Sequence, residues 1–267
     1  MWFDRRFFAL IVLCSLIAVT ASAQIINIDK IDTSEYKKKP IWNGNISAGL
    51  EVDKQSQTLF DASNYLDLSL QKYTELFILS ASNRFTYNGS NSYLNTGYVH
   101  IRWRHNYKAQ FHPESYVQYQ WDQNRGMIHR FVTGENIRYN FWHKQKWEMS
   151  VATGLMYENE LWNYTAVDSA KIPPNPQNQK ASELKSSSYI KFEGQPSATS
   201  NLSAILFYQA AFNSFLKPRI SVSIKYDISI SRHFMFGVAY SGLYDVDPVV
   251  PIFKFYYNFS NTLAYQF

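Results

Sequence analysis

The side chains able to do chemistry fall into three sets: six histidines, one cysteine, and charges placed at every second position of long runs. Hydrolysis by a serine needs a histidine base and an orienting amide or carboxylate within hydrogen-bond reach. Among His100, His105, His112, His129, His143 and His233, His129 is the strongest candidate, because it shares the face of Met127 and Phe131. No serine stands beside it in a motif, and Gly-x-Ser-x-Gly is absent from the sequence. We therefore read His129 as structural, next to a bulge around Gly134. His112 and Glu114 have the spacing of two metal ligands, but no third ligand accompanies them. The single cysteine, Cys14, excludes both a disulfide scaffold and a multi-cysteine metal site. No catalytic residue, metal or cofactor is expected, and no enzymatic activity.

The alternating charges carry more information. Arg84, Arg102, Arg104, Arg130, Arg138 and Lys225 occupy polar positions between apolar neighbours. So do Asp61, Asp67, Glu114, Asp122, Glu148, Glu158, Glu160 and Asp227. If the apolar neighbours face outward, these charges line an enclosed interior. They then form either a constriction that selects small solutes or a salt-bridge ladder that fills a narrow barrel. Counting outward from the expected turns places Arg130 opposite Glu158, Asn140 opposite Glu148, Arg102 opposite Glu114 and Gln120 opposite Arg130. Opposite charges directly across an antiparallel pair contribute about 0.2–1 kcal/mol each.

Such charges need strands to hold them, and the strands are legible. Period-2 alternation marks a strand with two unlike faces. In the run from Arg219 to Ser231, Ile220, Val222, Ile224, Tyr226, Ile228 and Ile230 oppose Ser221, Ser223, Lys225, Asp227 and Ser229. The tracts from Trp147 to Glu160 and from Phe60 to Gln71 repeat the pattern. Twelve runs result, at 41–53, 58–71, 75–88, 92–105, 110–122, 126–141, 146–160, 186–195, 201–211, 219–231, 233–244 and 250–267. Most are longer than the 5–6 residues typical of soluble strands. They match the roughly 9–11 or more residues that a tilted strand needs to cross a bilayer. An even number of strands returns both ends of the sheet to one side. Connections after even-numbered runs look short, while those after odd-numbered runs include the longest, 161–185, with Pro173, Pro174 and Pro176. Short turns at one end and longer loops at the other are expected of an outer-membrane barrel.

Composition and the N-terminus agree with this reading. Among 267 residues, 46% are apolar and 17% aromatic, which excludes a disordered chain. The net charge of +5 is modest and not clustered, so no nucleic-acid partner is expected. Arg5-Arg6, an apolar run from Phe7 to Val19 and the Ala21-Ser22-Ala23 ending form the three parts of a secretory signal peptide, residues 1–23, with cleavage following Ala23. Residues 24–40, including Lys37-Lys38-Lys39, read as a solvated periplasmic segment, and 41–267 as the barrel. Trp42, Trp103, Trp121, Trp142, Trp147 and Trp162 all lie near expected strand ends, where rings with one polar edge form interfacial girdles. The last run ends Phe253, Phe255, Tyr257, Phe259, Leu263, Tyr265, Phe267 on one face. An amphipathic final strand with Tyr265 and a terminal Phe267 resembles the assembly signal of outer-membrane barrels.

Several tracts resemble the family of salt-induced outer membrane proteins: Tyr116–Tyr139 (YVQYQWDQNRGMIHRFVTGENIRY), Gly154–Glu160 (GLMYENE), Asp245–Pro248 (DVDP) and Ser260–Phe267 (SNTLAYQF). The resemblance covers roughly 92–267 and implies a barrel and its location, but no catalytic residues. The expected architecture is all-β, a single antiparallel transmembrane barrel of about 12 strands in a bacterial outer membrane. Its expected partners are outer-membrane lipids, the barrel-assembly machinery acting on the C-terminal strand, and small solutes if the interior is open. Two other functions stay open to the sequence: a lipid-modifying barrel enzyme, which would use His129, and a soluble secreted lipocalin-like protein.

Overall fold

The computed structural model describes residues 40–54, 58–88, 91–144 and 146–265. The expected signal peptide, most of the 24–40 segment and Phe267 lie outside these residues, as does the side chain of Tyr265. Twelve strands follow in chain order. They are β1 (Ile41–Lys54), β2 (Thr58–Lys72), β3 (Glu75–Asn88), β4 (Asn91–Arg104), β5 (Phe111–Asp122) and β6 (Met127–Lys144). Then come β7 (Trp147–Trp162), β8 (Gln179–Ser197), β9 (Ser200–Ala211), β10 (Arg219–Ser229), β11 (Phe234–Asp245) and β12 (Phe255–Tyr265). Each pairs antiparallel with its predecessor, giving one 12-stranded sheet in the order β1 to β12. Each strand runs where β-branched or aromatic residues alternate with polar ones, and this alternation decides which face every side chain takes.

The sheet is rolled. Strands three places apart in a flat sheet stand about 14 Å from one another. Here the Tyr189 hydroxyl of β8 donates to Glu114 of β5 at 2.7 Å, and Arg219 of β10 donates to Glu160 of β7 at 2.7 Å. Arg125, in the short 3₁₀ turn Gln123–Arg125, lies 4.8 Å from the ring of Tyr256 in β12. Both ends of the sheet, the start of β1 and the end of β12, fall at the same end of the barrel. The loops after β7 and β11 fold over the other end. There Met127, Trp162, Val167 and Val250 are buried together, with Tyr164, Val249 and Ile252 packed on them.

Several sequence expectations are corrected. β8 starts at Gln179, not 186, so the loop after β7 spans 163–178; β12 starts at Phe255, not 250. Bulges sit between Met127 and His129 and between Asn140 and Trp142, not around Gly134. These bulges, with a shifted turn, place Arg130 opposite Glu160 and Asn140 opposite Ser150. Glu114 faces Arg104, and Arg102 faces Tyr116. Gln120 does face Arg130. Trp162, expected at a membrane interface, turns inward and is 1% exposed, because the returning loops roof it over.

Two glycines have a steric reason. A Cβ on Gly194 would lie 1.9 Å from the Trp147 ring, and one on Gly97 would lie 2.4 Å from the Trp121 ring. Each indole lies across a cross-strand glycine. Replacing either with valine must push a ring off the sheet, and overpacking of this kind costs about 1–3 kcal/mol. The Gly194→Val chain is expected to unfold at lower urea concentration than the parent when both are refolded in detergent, as read by tryptophan fluorescence.

Candidate functional site

The inner face is charged, and two buried ion-pair networks occupy its β4–β10 part. The first centres on Glu114, which is 0% exposed. Arg104 Nε stands 2.6 Å from its carboxylate, Arg138 Nη1 3.6 Å and Arg102 Nη1 3.8 Å. Arg138 extends the network to Glu148 at 3.1 Å. Alternation places these groups together: β4, β5 and β6 each aim one polar row inward at the same height. A carboxylate with no access to water is tolerated when guanidinium groups and hydroxyls take up its lone pairs.

The second network lies nearer the roofed end, around Glu158 and Glu160 of β7. Arg130 binds Glu158 through Nε at 2.5 Å and stands 3.0 Å from Glu160. Arg219 donates to Glu158 at 2.9 Å, to Glu160 at 2.7 Å and to Asp245 at 2.9 Å. Lys185 is salt-bridged to Glu158. Arg130 also reaches Gln120 and, across the interior, Gln209, each at 3.2 Å. A polar chain extends from the second network toward β4: the Gln118 amide donates to Gln120, and His100 Nδ1 meets Gln118 Oε1 at 3.0 Å.

The remaining expected charges form smaller pairs. Arg84 meets Asp61 at 3.1 Å and is about a third exposed, while Lys225 meets Asp227 at 3.3 Å with its own side chain half exposed. Asp67 accepts from Ser80 at 2.9 Å. Asp122 pairs with Arg125 at 3.4 Å. Sequence reasoning missed several members of the interior, among them Lys185, Lys191, Arg219 and the carboxylate-binding Tyr189. Arg219 was detectable, since it stands in phase with Ser221 and Ser223. Lys185 lies just before the start expected for its strand. Between the networks is a cavity of about 50 Å³ whose lining includes His100, Arg102, Tyr116, Asn136 and Arg130.

The outward face is the reverse. Ile46, Leu50, Ile101, Ile137, Leu155 and Phe259 are each more than half exposed. Trp42, Trp103 and Trp142 are exposed on it, and Trp121 and Trp147 lie over their glycines. His129 stacks on Tyr119 at 6.2 Å on this face, and among the described residues no hydroxyl or carboxylate hydrogen-bonds to it. His112 and Glu114 stand 4.0 Å apart, and no metal-binding group of three or more His, Cys, Asp or Glu occurs among the described residues.

Compared with known proteins, the chain matches at residues 62–267 the family described as "Protein of unknown function, DUF481". No curated protein matches it. Among solved structures, a NanC porin in a rhombohedral crystal form shares 8% identity over 85% of this chain and 99% of the porin, with a TM-score of 0.42. That likeness is too shallow to carry an argument.

Removing one partner of a fully buried ion pair leaves the other charge stranded, at a cost of about 3–5 kcal/mol. Glu158→Gln is therefore expected to lower unfolding free energy in detergent far more than Asp61→Asn, whose partly exposed pair falls nearer the 0–1 kcal/mol of surface bridges. Equal losses would contradict this ranking. Between loops, the Lys217 ammonium donates to Asp247 at 2.9 Å and holds that carboxyl below its ordinary range. A depressed carboxyl stabilises at pH above its unfolded value and loses that contribution as pH falls through the folded value. Amide exchange in 246–254 is thus expected to speed up at acidic pH beyond the intrinsic pH dependence of exchange, and this excess should vanish in Lys217→Gln.

Proposed function

The chain belongs to the family of proteins of unknown function DUF481, and we propose that it is an outer-membrane β-barrel whose interior is filled by its own ion-paired side chains. The observation behind this reading is the reversal of burial: Glu114, Glu160 and Arg104 are buried, while Ile46, Leu50 and Phe259 stand out from the opposite face. In water, each large apolar side chain left exposed forgoes about 1.5–3 kcal/mol. Several on one face equal a typical total stability of about 5–15 kcal/mol. Hydrocarbon around the barrel removes that cost. Strands from 11 residues (β10) to 19 residues (β8) are long enough for the roughly 9–11 of a tilted crossing. A soluble lipocalin-like carrier needs the opposite arrangement, with its apolar side chains turned inward around the ligand.

The finer parts of the reading follow from sequence. The kinship with salt-induced outer membrane proteins rests on the tracts at 116–139, 154–160, 245–248 and 260–267. The N-terminal signal directs export, with cleavage after Ala23. Both barrel ends of the chain then face the periplasm, the 163–178 loop is extracellular, and the assembly machinery engages the last strand. The chain has no catalytic role in this reading.

Filling, rather than conduction, is supported by the networks that reach from β5–β7 to β8–β10 and by the small cavity between them. The rival reading, a small-solute channel, has one observation in its favour. Inward side chains of β1–β3, such as Asp61, Asp67 and Arg84, are only half buried, so any passage would run beside them. Planar-bilayer recording separates the two. The refolded mature chain is expected to give no single-channel steps. A chain with Arg130, Glu158, Glu160 and Arg219 all replaced by serine is expected to conduct. Steps from the parent chain would favour the channel, and their reversal potential should then shift in Arg84→Ala.

A further inference from the structure

Arg102 is an incompletely satisfied charge on the cavity wall. Its side chain is 9% exposed, and its buried Nε has no hydrogen-bond partner among the described residues. Its nearest anion is Glu114 Oε2 at 3.8 Å, beyond hydrogen-bond range, and Glu114 is already engaged by Arg104 at 2.6 Å and the Tyr189 hydroxyl at 2.7 Å. Otherwise the guanidinium faces the Tyr116 ring, 5.8 Å away. A buried guanidinium with an unused donor is costly unless something accepts from it.

A second open group lies next to it. His100 precedes Arg102 by two positions on β4 and shares its inward face; it is 3% exposed. Its Nδ1 meets the Gln118 carbonyl oxygen at 3.0 Å, which assigns the ring proton to Nδ1. Nε2 is left as a lone-pair acceptor, without a partner among the described residues. Both residues line the cavity of about 50 Å³. The other cations on its wall, Arg130 and Arg219, are already bound to Glu158 and Glu160.

The cavity wall thus offers a cationic donor held only loosely by Glu114 and a neutral acceptor without a partner among the described residues. Residues two apart on a strand are separated by about 7 Å along the backbone, a gap that a molecule a few atoms long bridges. We propose that this cavity binds a small carboxylate bearing a hydroxyl group, its carboxylate on Arg102 and its hydroxyl donating to His100 Nε2. A planar carboxylate matches the guanidinium edge. A hydroxyl meets the acceptor that a plain carboxylate leaves empty, and sites built to bind a hydroxyl discriminate against analogues lacking it. The inference concerns the interior alone and stands whether or not the barrel conducts.

The test is calorimetric titration of glycolate and of acetate into the detergent-refolded full chain, at fixed ionic strength. Glycolate is expected to bind at one saturable site, with acetate at least tenfold weaker. Arg102→Gln should weaken glycolate at least tenfold, while Lys217→Gln, on an exposed loop, should not change it. Absence of saturable glycolate binding, equal binding of acetate, or full binding by Arg102→Gln would each overturn the proposal. If Arg102→Gln does not refold, the parent chain decides by NMR of ¹⁵N-labelled histidine. A glycolate-dependent shift of the His100 Nε2 resonance supports the site, and an unmoved resonance overturns it.

Discussion

Charge without water must be neutralised by charge. That constraint organises this barrel. A strand with an apolar outer row has to place its inner row in a narrow enclosed space, and bulk water cannot solvate ions there. The most deeply buried carboxylates, Glu114, Glu158 and Glu160, therefore draw guanidinium groups from neighbouring strands or from strands three places away. Glu158 and Glu160 do so most fully: Arg130 comes from the adjacent strand, Lys185 from the other side, and Arg219 from three strands away. The same pairs that neutralise the charges also hold the rolled sheet together.

The proposed filling follows from the same requirement. A pore keeps its charges solvated, so its walls need not touch. Here Arg219 is long enough to meet carboxylates three strands away, which narrows the space between them. The loops after β7 and β11 add an apolar roof, where Trp162 and Val250 pack on Met127. The interior is nonetheless uneven. Between β4 and β6 it is buried, beside β1–β3 it is half exposed, and near Arg102 it keeps a guanidinium only loosely paired.

The register errors are of one kind. Arg130 was placed opposite Glu158 but faces Glu160, and Arg102 opposite Glu114 where Arg104 stands. Both slips are of two residues, caused by bulges in β6 and by a turn displaced from its expected centre. A slip of two leaves every side chain on its correct face. Arginine is also long enough to reach both carboxylates, so Arg130 binds Glu158 even from the shifted register. Trp162 failed differently. Its position near a strand end was right, but its direction depended on loops remote in sequence.

What the sequence determined by itself was the periodic part: twelve strands, their approximate limits, and the two faces of each. Alternation is local, and it is set by the backbone's own two-residue repeat. Tertiary structure alone decided which charges meet, because those contacts join residues as far apart as Glu158 and Arg219, or Glu114 and Tyr189. It also decided that Trp162 turns inward and that Arg102 and His100 share a cavity. These outcomes depend on the radius of the rolled sheet and the path of its loops. Both are properties of all the strands together, and no single run of residues encodes them.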